Sequence, residues 1–186
     1  MANIKVIEPE HAEGELKGIY NDLIESRGKL AEVHKIQSLN PKTIVRHIDL
    51  YMDIMFGQSP LKRAQREMMA VVVSAANDCE YCQLHHIEAL NHYWKNDEKC
   101  DALRINYKGA GLDSKDQGLC EMAWQLTKYL GKNQKGEQVN KLKELGFDDR
   151  SILDATLVIA YFNFVNRIVL NLEVSPSAEE VGGYEY

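Results

Sequence analysis

Apolar residues recur every three or four positions along almost the whole chain, as in ranges 11–27, 44–55 and 119–130. This spacing is typical of amphipathic helices, and the strict alternation that marks half-buried strands is missing. Two of the four prolines, Pro41 and Pro60, each follow a residue type that often caps a helix start. The pattern predicts an all-α fold, a multi-helix bundle of about eight helices.

The chain has 186 residues, of which 45% are apolar, enough for one domain with a buried core. We expect a single helical domain over residues 1–174, with its core motif region at about 44–128. Residues 175–186 are polar and acidic and are expected to form a loosely ordered tail. The most apolar stretch, 152–170, is interrupted by Asp154 and other polar residues, so no membrane span is predicted.

Charge and the first residues bear on partners and location. The net charge is −6, so the chain lacks the basic footprint that nucleic-acid binding requires. The N-terminal residues lack the apolar region of a signal peptide. We therefore expect a soluble, cytoplasmic protein with no nucleic-acid or membrane partner, in which thiols stay reduced unless chemistry oxidises them.

Residues 77–86 hold two of the four cysteines and two of the six histidines. A helix is expected to restart here, with Asn77 or Asp78 as its N-cap and with Cys79 and Cys82 in its first turn. Free backbone N–H groups and the helix dipole stabilise negative charge in a first turn. A thiol of a Cys-x-x-Cys pair in that position is expected to ionise more readily than free cysteine.

A histidine follows the cysteine pair at helical spacing. Cys79 and Cys82 are three residues apart and Cys82 and His86 are four apart, so all three share one helical face. His86 is expected to serve as the base of Cys82, directly or through a water molecule. The pattern indicates a dithiol redox centre.

Three other interpretations of the cysteines stay open at this point. Cys-x2-Cys-x3-His offers three zinc ligands, although Cys100 and Cys120 do not form a second pair by spacing. A structural disulfide is the second interpretation, and the cytosol-like composition counts against it. The third is a set of buried cysteines without chemical consequence.

A glutamate completes a longer motif. Glu67 lies twelve residues ahead of Cys79, and Cys82 and His86 follow without a gap. With this spacing the chain resembles the alkylhydroperoxidase D-like (AhpD-like) branch of the carboxymuconolactone decarboxylase superfamily, especially its peroxidase-related members. The core of the resemblance covers about residues 44–128.

The resemblance implies an all-helical fold whose subunits associate as dimers, trimers or hexamers. It also implies a cofactor-free, thiol-dependent peroxidase that acts on a small hydroperoxide. In this scheme Cys82 attacks the peroxide and Cys79 resolves the product as a disulfide, while His86 and Glu67 relay protons. A dithiol reductant, in the family a lipoylated protein, would regenerate the pair.

One position departs from the family pattern, which has a second histidine just before the second cysteine. This chain has Tyr81 there, and a phenol is a poor base near pH 7. His85 cannot replace that histidine, because it lies about 100° around the helix from His86. A thiol-based redox sensor or slow oxidoreductase therefore remains an alternative. A carboxymuconolactone decarboxylase-type enzyme is a further one, against which the intact cysteine pair argues.

Polar residues also interrupt the last apolar helix. Asn163, Asn166 and Arg167 repeat at helical spacing, and buried polar groups need partners. We expect a structural network that bonds either across a subunit interface or back to the cysteine helix. Two further histidines, His34 and His47, have no predicted partner.

Overall fold

A computed structural model describes residues 2–129, 131, 136–176 and 180. These residues form helices and turns without any strand, so the all-α prediction is confirmed. The described helices are, in order, α1 (Gly14–Arg27), α2 (Glu32–Lys35), α3 (Pro41–Phe56), α4 (Arg63–Ala76), α5 (Glu80–Trp94), α6 (Asp97–Asn106), α7 (Ser114–Lys128), α8 (Glu137–Glu144) and α9 (Asp149–Leu172).

Helix α4 is the centre of the core. Residues 68–73, two methionines, an alanine and three valines, are almost entirely buried. Helix α4 packs against α5, α7 and α9 and also contacts α3 and α6. A helix that is apolar on all sides is stable only when neighbours surround it, and here they do. Packing on all sides therefore fixes the position of this helix and of its polar residues in the core.

Helix α9 crosses the same core. Its N-cap is Asp148, whose carboxylate accepts the backbone N–H of Ser151 at 2.8 Å. By length and composition alone this helix would suffice to cross a membrane. However, 56% of its most apolar window is buried in the protein, as in the core helix of a soluble protein. Its buried face includes Val158, Phe162 and Val165.

The turn between α4 and α5 corrects the predicted start of the cysteine helix. Neither Asn77 nor Asp78 caps α5, because Cys79 occupies the N-cap position. The N–H of Cys79 donates to Ser74 O at 2.9 Å and that of Asp78 to Ala75 O at 3.1 Å. These two bonds form a Schellman motif, with Asp78 in the left-handed region at φ 56°. The preceding helix therefore ends where the sequence suggested that the next one starts.

Three other helix starts can be compared with the sequence pattern. Helix α3 begins at Pro41 as predicted, although the preceding side chain makes no capping bond. The Ser59–Pro60 signal lies ahead of the start of α4, and the Ser59 hydroxyl donates to Asp154 at 2.6 Å instead. Asp113 caps α7 through the backbone N–H of Asp116.

Part of the sequence prediction falls on residues that the structure does not describe. Leu130, the last apolar position of the 119–130 pattern, lies outside them. So does most of the predicted tail 175–186. Of that tail the structure describes 175, 176 and Glu180, and the Glu180 side chain is buried.

Candidate active site

A cavity of about 100 Å³ lies beside the cysteine pair. Its walls come from helices α3, α4, α5 and α9 and from the segment around α2. Cys82 is the cysteine that lines it among the described residues. The wall also includes the titratable side chains of His47, Arg63, Tyr81, His86 and Tyr161.

The two thiols form one coupled unit. Cys79 and Cys82 are both buried and both reduced. The pKa of Cys79 is lowered, because the Cys82 side chain and then its backbone N–H hydrogen-bond the thiolate, although burial opposes this. The pKa of Cys82 is raised well above its usual value by the hydrogen bond to Cys79, by burial and by the charge on Cys79. The pair thus loses one proton easily and the second with difficulty.

Glu67 and His86 meet next to the cavity. Glu67 Oε2 lies 2.7 Å from His86 Nδ1, and the carboxylate is fully buried. Arg63, one turn earlier on α4, donates to Glu67 Oε1 from Nε at 2.8 Å and from Nη2 at 2.5 Å. Burial acts to raise the pKa of Glu67, but His86 and then Arg63 hold it below its ordinary value. The structure therefore contains a buried, ionised carboxylate with two partners.

The hydrogen bond to Glu67 fixes the state of His86. An ionised carboxylate only accepts, so His86 Nδ1 carries the hydrogen and donates it. A neutral His86 then has its lone pair on Nε2, where it can take a proton. The ring packs edge-on against Phe162 at 4.4 Å between centroids, which holds its orientation. This geometry equips His86 as a base whose second nitrogen is anchored.

The predicted polar network on α9 bonds back to the turn before the cysteines. Asn77 Nδ2 donates to Asn166 Oδ1 at 2.9 Å and to Asn163 Oδ1 at 3.1 Å. Asn166 Nδ2 in turn donates to Ser74 Oγ at 3.2 Å. A hydrogen bond from Asn166 also acts to lower the pKa of Cys82, against the larger raising effects. The network therefore joins α9 to the Schellman turn and reaches a sulfur.

Arg167, the third residue predicted with this set, lies at its edge. Its Nη1 donates to Asn163 O at 2.6 Å and Asn163 Oδ1 at 2.8 Å in an exposed position. Two arrangements were predicted for this set, bonding across a subunit interface and bonding within the chain. The described contacts support bonding within the chain.

Tyr81, which stands where the family pattern has histidine, does not face the sulfurs with its hydroxyl. The hydroxyl is hydrogen-bonded to the carboxylate of Glu180, and its oxygen accepts the Val33 N–H at 3.2 Å. The Glu32 N–H also donates to Glu180 Oε1, at 2.8 Å. His85 Nε2 lies 3.5 Å from the same carboxylate oxygen. The Tyr81 phenol is therefore engaged away from the dithiol.

A second histidine–tyrosine pair lines the cavity. His47 Nε2 lies 2.7 Å from the hydroxyl oxygen of Tyr161, and both side chains are buried. Gln37 Nε2 lies 2.7 Å from His47 Nδ1 and 2.8 Å from Val33 O. Burial lowers the pKa of His47 to about 4, so the ring is neutral at pH 7.

The structure brings together all four residues that the motif predicts, Cys79, Cys82, His86 and Glu67, and adds others. Sequence reasoning missed the roles of Arg63, His47, Tyr161 and Glu180 in this region. The position of Arg63 one turn before Glu67 was a usable signal. Nothing local in the sequence pairs His47 with Tyr161, which are 114 residues apart.

Zinc binding, one interpretation of the cysteines, would require several ligand side chains grouped around one point. Within residues 2–129, 131, 136–176 and 180, no three or more His, Cys, Asp or Glu side chains are grouped so that they could hold a metal ion. The third ligand of the supposed set, His86, instead bonds Glu67 through Nδ1.

The fold and the site together define an all-helical protein with a buried dithiol, which faces a small cavity beside a carboxylate–histidine pair. The model of the carboxymuconolactone decarboxylase family matches residues 46–107. A peroxidase-related protein from Silicibacter sp. TM1040 is 30% identical, over 90% of this chain and 87% of the other, with a TM-score of 0.81. The chain therefore belongs to the AhpD-like carboxymuconolactone decarboxylase superfamily, which implies an enzyme.

Two more distant solved structures share the fold. A peroxidase-related protein with an alkylhydroperoxidase AhpD core, from Ralstonia eutropha JMP134, is 22% identical. The match covers 97% of this chain and 94% of the other, with a TM-score of 0.85. The debrominase Bmp8 in complex with 2,3,4-tribromopyrrole is 15% identical, over 98% and 100% of the chains, with a TM-score of 0.75. No curated protein sequence matches significantly.

Proposed function

We propose that this protein is a thiol-dependent peroxidase that reduces small organic hydroperoxides with the Cys79–Cys82 dithiol. One observation carries the proposal: Cys82 lines a small cavity together with His86, whose Nδ1 is held by the buried carboxylate of Glu67. A thiol at a cavity wall beside an anchored base is the arrangement that nucleophilic cysteine chemistry needs.

The first step is attack by Cys82. The pair shares one negative charge, which the lowered pKa of Cys79 places first on Cys79, with the remaining proton on Cys82. Transfer of that proton to Cys79 leaves the thiolate on Cys82, where Asn166 hydrogen-bonds it. His86 Nε2 accepts the proton that the pair gives up. The Cys82 sulfur attacks one peroxide oxygen, the O–O bond breaks, and the alkoxide takes the proton from His86. The products are an alcohol and a sulfenic acid on Cys82.

The second step closes the disulfide. His86, which has given its proton to the alkoxide, takes the remaining proton from Cys79, and the Cys79 thiolate attacks the Cys82 sulfur. Hydroxide leaves and is protonated to water, and a dithiol reductant restores both thiols by exchange. Overall, one hydroperoxide and two thiols give one alcohol, one water and one disulfide. In this proposal the cycle uses no cofactor. Its reductant is a small or protein-borne dithiol, such as a lipoylated protein.

Cavity size favours a small peroxide over a bulky aromatic substrate. The distant neighbour in complex with a tribromopyrrole is a debrominase, and a dithiol is able to reduce a carbon–bromine bond in principle. An engineered protein cavity that binds benzene has a volume of about 150 Å³. The cavity here has about 100 Å³, so a brominated ring would require it to open. A hydroperoxide with a short or linear chain needs no such change.

The test is a thiol count after one equivalent of an organic hydroperoxide, with peptide mapping. Wild type should lose the Cys79 and Cys82 thiols together and regain them with a dithiol. Cys82→Ser should lose neither quickly, while Cys79→Ser should accumulate a sulfenic acid that a nucleophilic trap labels. Cys100→Ser is the matched control, because its new hydroxyl can keep the contact with Asn91 away from the cavity.

Three results would contradict the proposal or favour an alternative. A Cys82→Ser protein that reduces hydroperoxide as fast as wild type would refute the assignment. Rapid disulfide formation with slow recycling by every dithiol, together with a redox-dependent change in assembly, would favour a sensor. Unreactive thiols would return attention to a decarboxylase-type reaction, since the family includes both.

A further inference from the structure

We propose that Tyr161 is a further catalytic residue: its hydroxyl donates a hydrogen bond to the leaving oxygen of the peroxide, and Gln37 and His47 set the direction of that hydrogen. This inference rests on the proposed peroxidase function. It assigns the neutral hydrogen-bond donor that stabilises the leaving oxygen, a role that the motif residues do not fill.

The argument begins at the amide of Gln37. Its Nε2 lies 2.8 Å from the Val33 carbonyl oxygen and 2.7 Å from His47 Nδ1. A carbonyl oxygen only accepts, so the amide nitrogen must be the atom on this side, and the reverse orientation would place two acceptors together. The second N–H of the amide is then directed at His47 Nδ1. That ring nitrogen must therefore carry a lone pair.

This fixes the tautomer of His47. The ring is neutral at pH 7, because burial lowers the pKa of His47 to about 4. With a lone pair on Nδ1, the single ring hydrogen is on Nε2. Nε2 lies 2.7 Å from the Tyr161 hydroxyl oxygen, so His47 donates and Tyr161 accepts. A phenol that accepts from its neighbour keeps its own hydrogen for another partner.

The Tyr161 hydrogen faces the cavity. Across the described residues, His47 is the one hydrogen-bond partner of the Tyr161 hydroxyl. Tyr161 is buried, and it lines the same cavity as Cys82. A buried O–H without an acceptor is costly, and a peroxide oxygen in the cavity would supply the acceptor. Among the described residues, the Tyr161 hydroxyl hydrogen therefore has no acceptor in the cavity that Cys82 lines.

The reaction develops charge where this hydrogen is offered. When the Cys82 sulfur bonds one peroxide oxygen, both electrons of the O–O bond pass to the other oxygen. A donor aimed at that oxygen stabilises the developing alkoxide. The pKa of Tyr161 is raised well above its usual value, chiefly by burial, so Tyr161 keeps its proton. The proton that completes the alcohol comes from His86 Nε2, as proposed above.

Tyr161→Phe tests the assignment with two oxidants that differ in leaving group. An alkyl hydroperoxide releases an alkoxide, which needs stabilisation, whereas a peroxycarboxylic acid releases a carboxylate, which needs little. We expect Tyr161→Phe to slow the oxidation of Cys82 by the alkyl hydroperoxide about 100-fold, and that by the peroxy acid only about threefold. Tyr20→Phe is the control, because it removes a buried hydroxyl that bonds Ile7 O, away from the cavity.

The outcomes separate this inference from the proposed function. Equal slowing with both oxidants, or no slowing with either, would overturn the role of Tyr161 while leaving the peroxidase in place. A wild type that reacts with neither oxidant faster than free cysteine would instead overturn the proposed function. Near-ultraviolet circular dichroism of each variant verifies that the comparison is between folded proteins.

Gln37→Met tests the orienting chain without touching the cavity wall. Methionine keeps the approximate shape of glutamine but cannot donate to His47 Nδ1, so both tautomers of His47 become accessible. In the second tautomer Nε2 accepts the Tyr161 hydrogen and withdraws it from the cavity. We expect about a tenfold loss with the alkyl hydroperoxide and little loss with the peroxy acid. An unchanged ratio of the two rates would overturn the positioning role of Gln37.

Discussion

Glu67 and His86 form a buried carboxylate–imidazole pair with 2.7 Å between Oε2 and Nδ1, although they lie on different helices. The short turn between α4 and α5 brings the two helices side by side, and Arg63 holds the second carboxylate oxygen. The pair keeps Nε2 of His86 available as a base, while the Arg63 guanidinium neutralises a carboxylate charge that could not otherwise be buried.

Glu67→Gln should reduce the rate of Cys82 oxidation roughly 100-fold, because an amide can both donate and accept and so no longer fixes the hydrogen on His86 Nδ1. Arg63 would also lose its ionic partner in a largely buried position. The measurement is the second-order rate constant for a hydroperoxide by rapid mixing. Glu121→Gln is the control, since Glu121 accepts from Tyr107 far from the cavity. An unchanged rate would remove Glu67 from the mechanism.

Asn166→Leu should raise the pKa of Cys82 further and destabilise the fold by about 1–3 kcal/mol. The variant removes the hydrogen bond that acts to lower the pKa of Cys82, and it leaves polar atoms of Asn77 and Ser74 without that partner. A pH titration of the thiolate ultraviolet absorbance measures the first effect, and urea unfolding measures the second.

Thr127→Val is the matched control for that experiment. Its hydroxyl accepts from Asn163 in the same network but makes no contact with the sulfurs. We expect it to lower stability without moving the thiol titration. If both variants shifted the titration equally, general loosening of α9 would explain the effect, and Asn166 would have no specific role.

Stability should fall as the pH is lowered from 6.5 towards 4. The pKa of His47 is lowered by burial from 6.5 to about 4, so in this range the unfolded chain binds a proton that the folded chain does not. For His47 alone we expect a loss of about 2 kcal/mol between pH 7 and pH 5. His34, whose pKa is also lowered by burial and then by the charge of His47, should add to the slope.

Urea unfolding at several pH values measures this dependence. His47→Gln should flatten the curve between pH 7 and pH 5, whereas the same change at the exposed His92 should leave it as in wild type. A wild-type stability that is constant over this range would show that His47 is protonated without penalty in the folded protein.

Glu180→Ala should destabilise the protein by about 1–3 kcal/mol. Its carboxylate accepts from the Glu32 N–H and from the Tyr81 hydroxyl, which are partly or fully buried donors. Because Tyr81 lines the cavity, alkylation of Cys82 by a small reagent should also become faster. Glu25→Ala on the exposed face of α1 is the control. Unchanged stability and unchanged alkylation would mean that solvent replaces the Glu180 carboxylate without cost.

The sequence predicted the helices and the grouping of the motif residues because both depend on short-range spacing. Helical periodicity placed Cys79, Cys82 and His86 on one face, and the family pattern added Glu67. The predicted cap at Asn77 or Asp78 was wrong because both residues belong to the Schellman turn that ends α4. The Asn77 side-chain amide donates instead to Asn166, 89 residues further along the chain. Short-range sequence patterns do not reveal a hydrogen-bond partner that lies so far along the chain.

The remaining contacts depend on tertiary packing. The Tyr81–Glu180 and His47–Tyr161 bonds join residues about a hundred positions apart and leave no local pattern. The Arg63 guanidinium stacks on Phe56, with 3.6 Å from its central carbon to the ring centroid. Only the arrangement of α3 against α4 makes that position a buried one.

The Schellman turn has a consequence for how this chain can change over generations. From Glu67 to His86 the backbone runs through α4, one hydrogen-bonded turn and α5, with no slack residue. One inserted or deleted residue inside α4 would rotate Glu67 by about 100° relative to the turn, away from His86. Descendants of this protein are therefore expected to change this stretch by substitution and to keep its length. Insertions and deletions are expected to accumulate in the loops outside it.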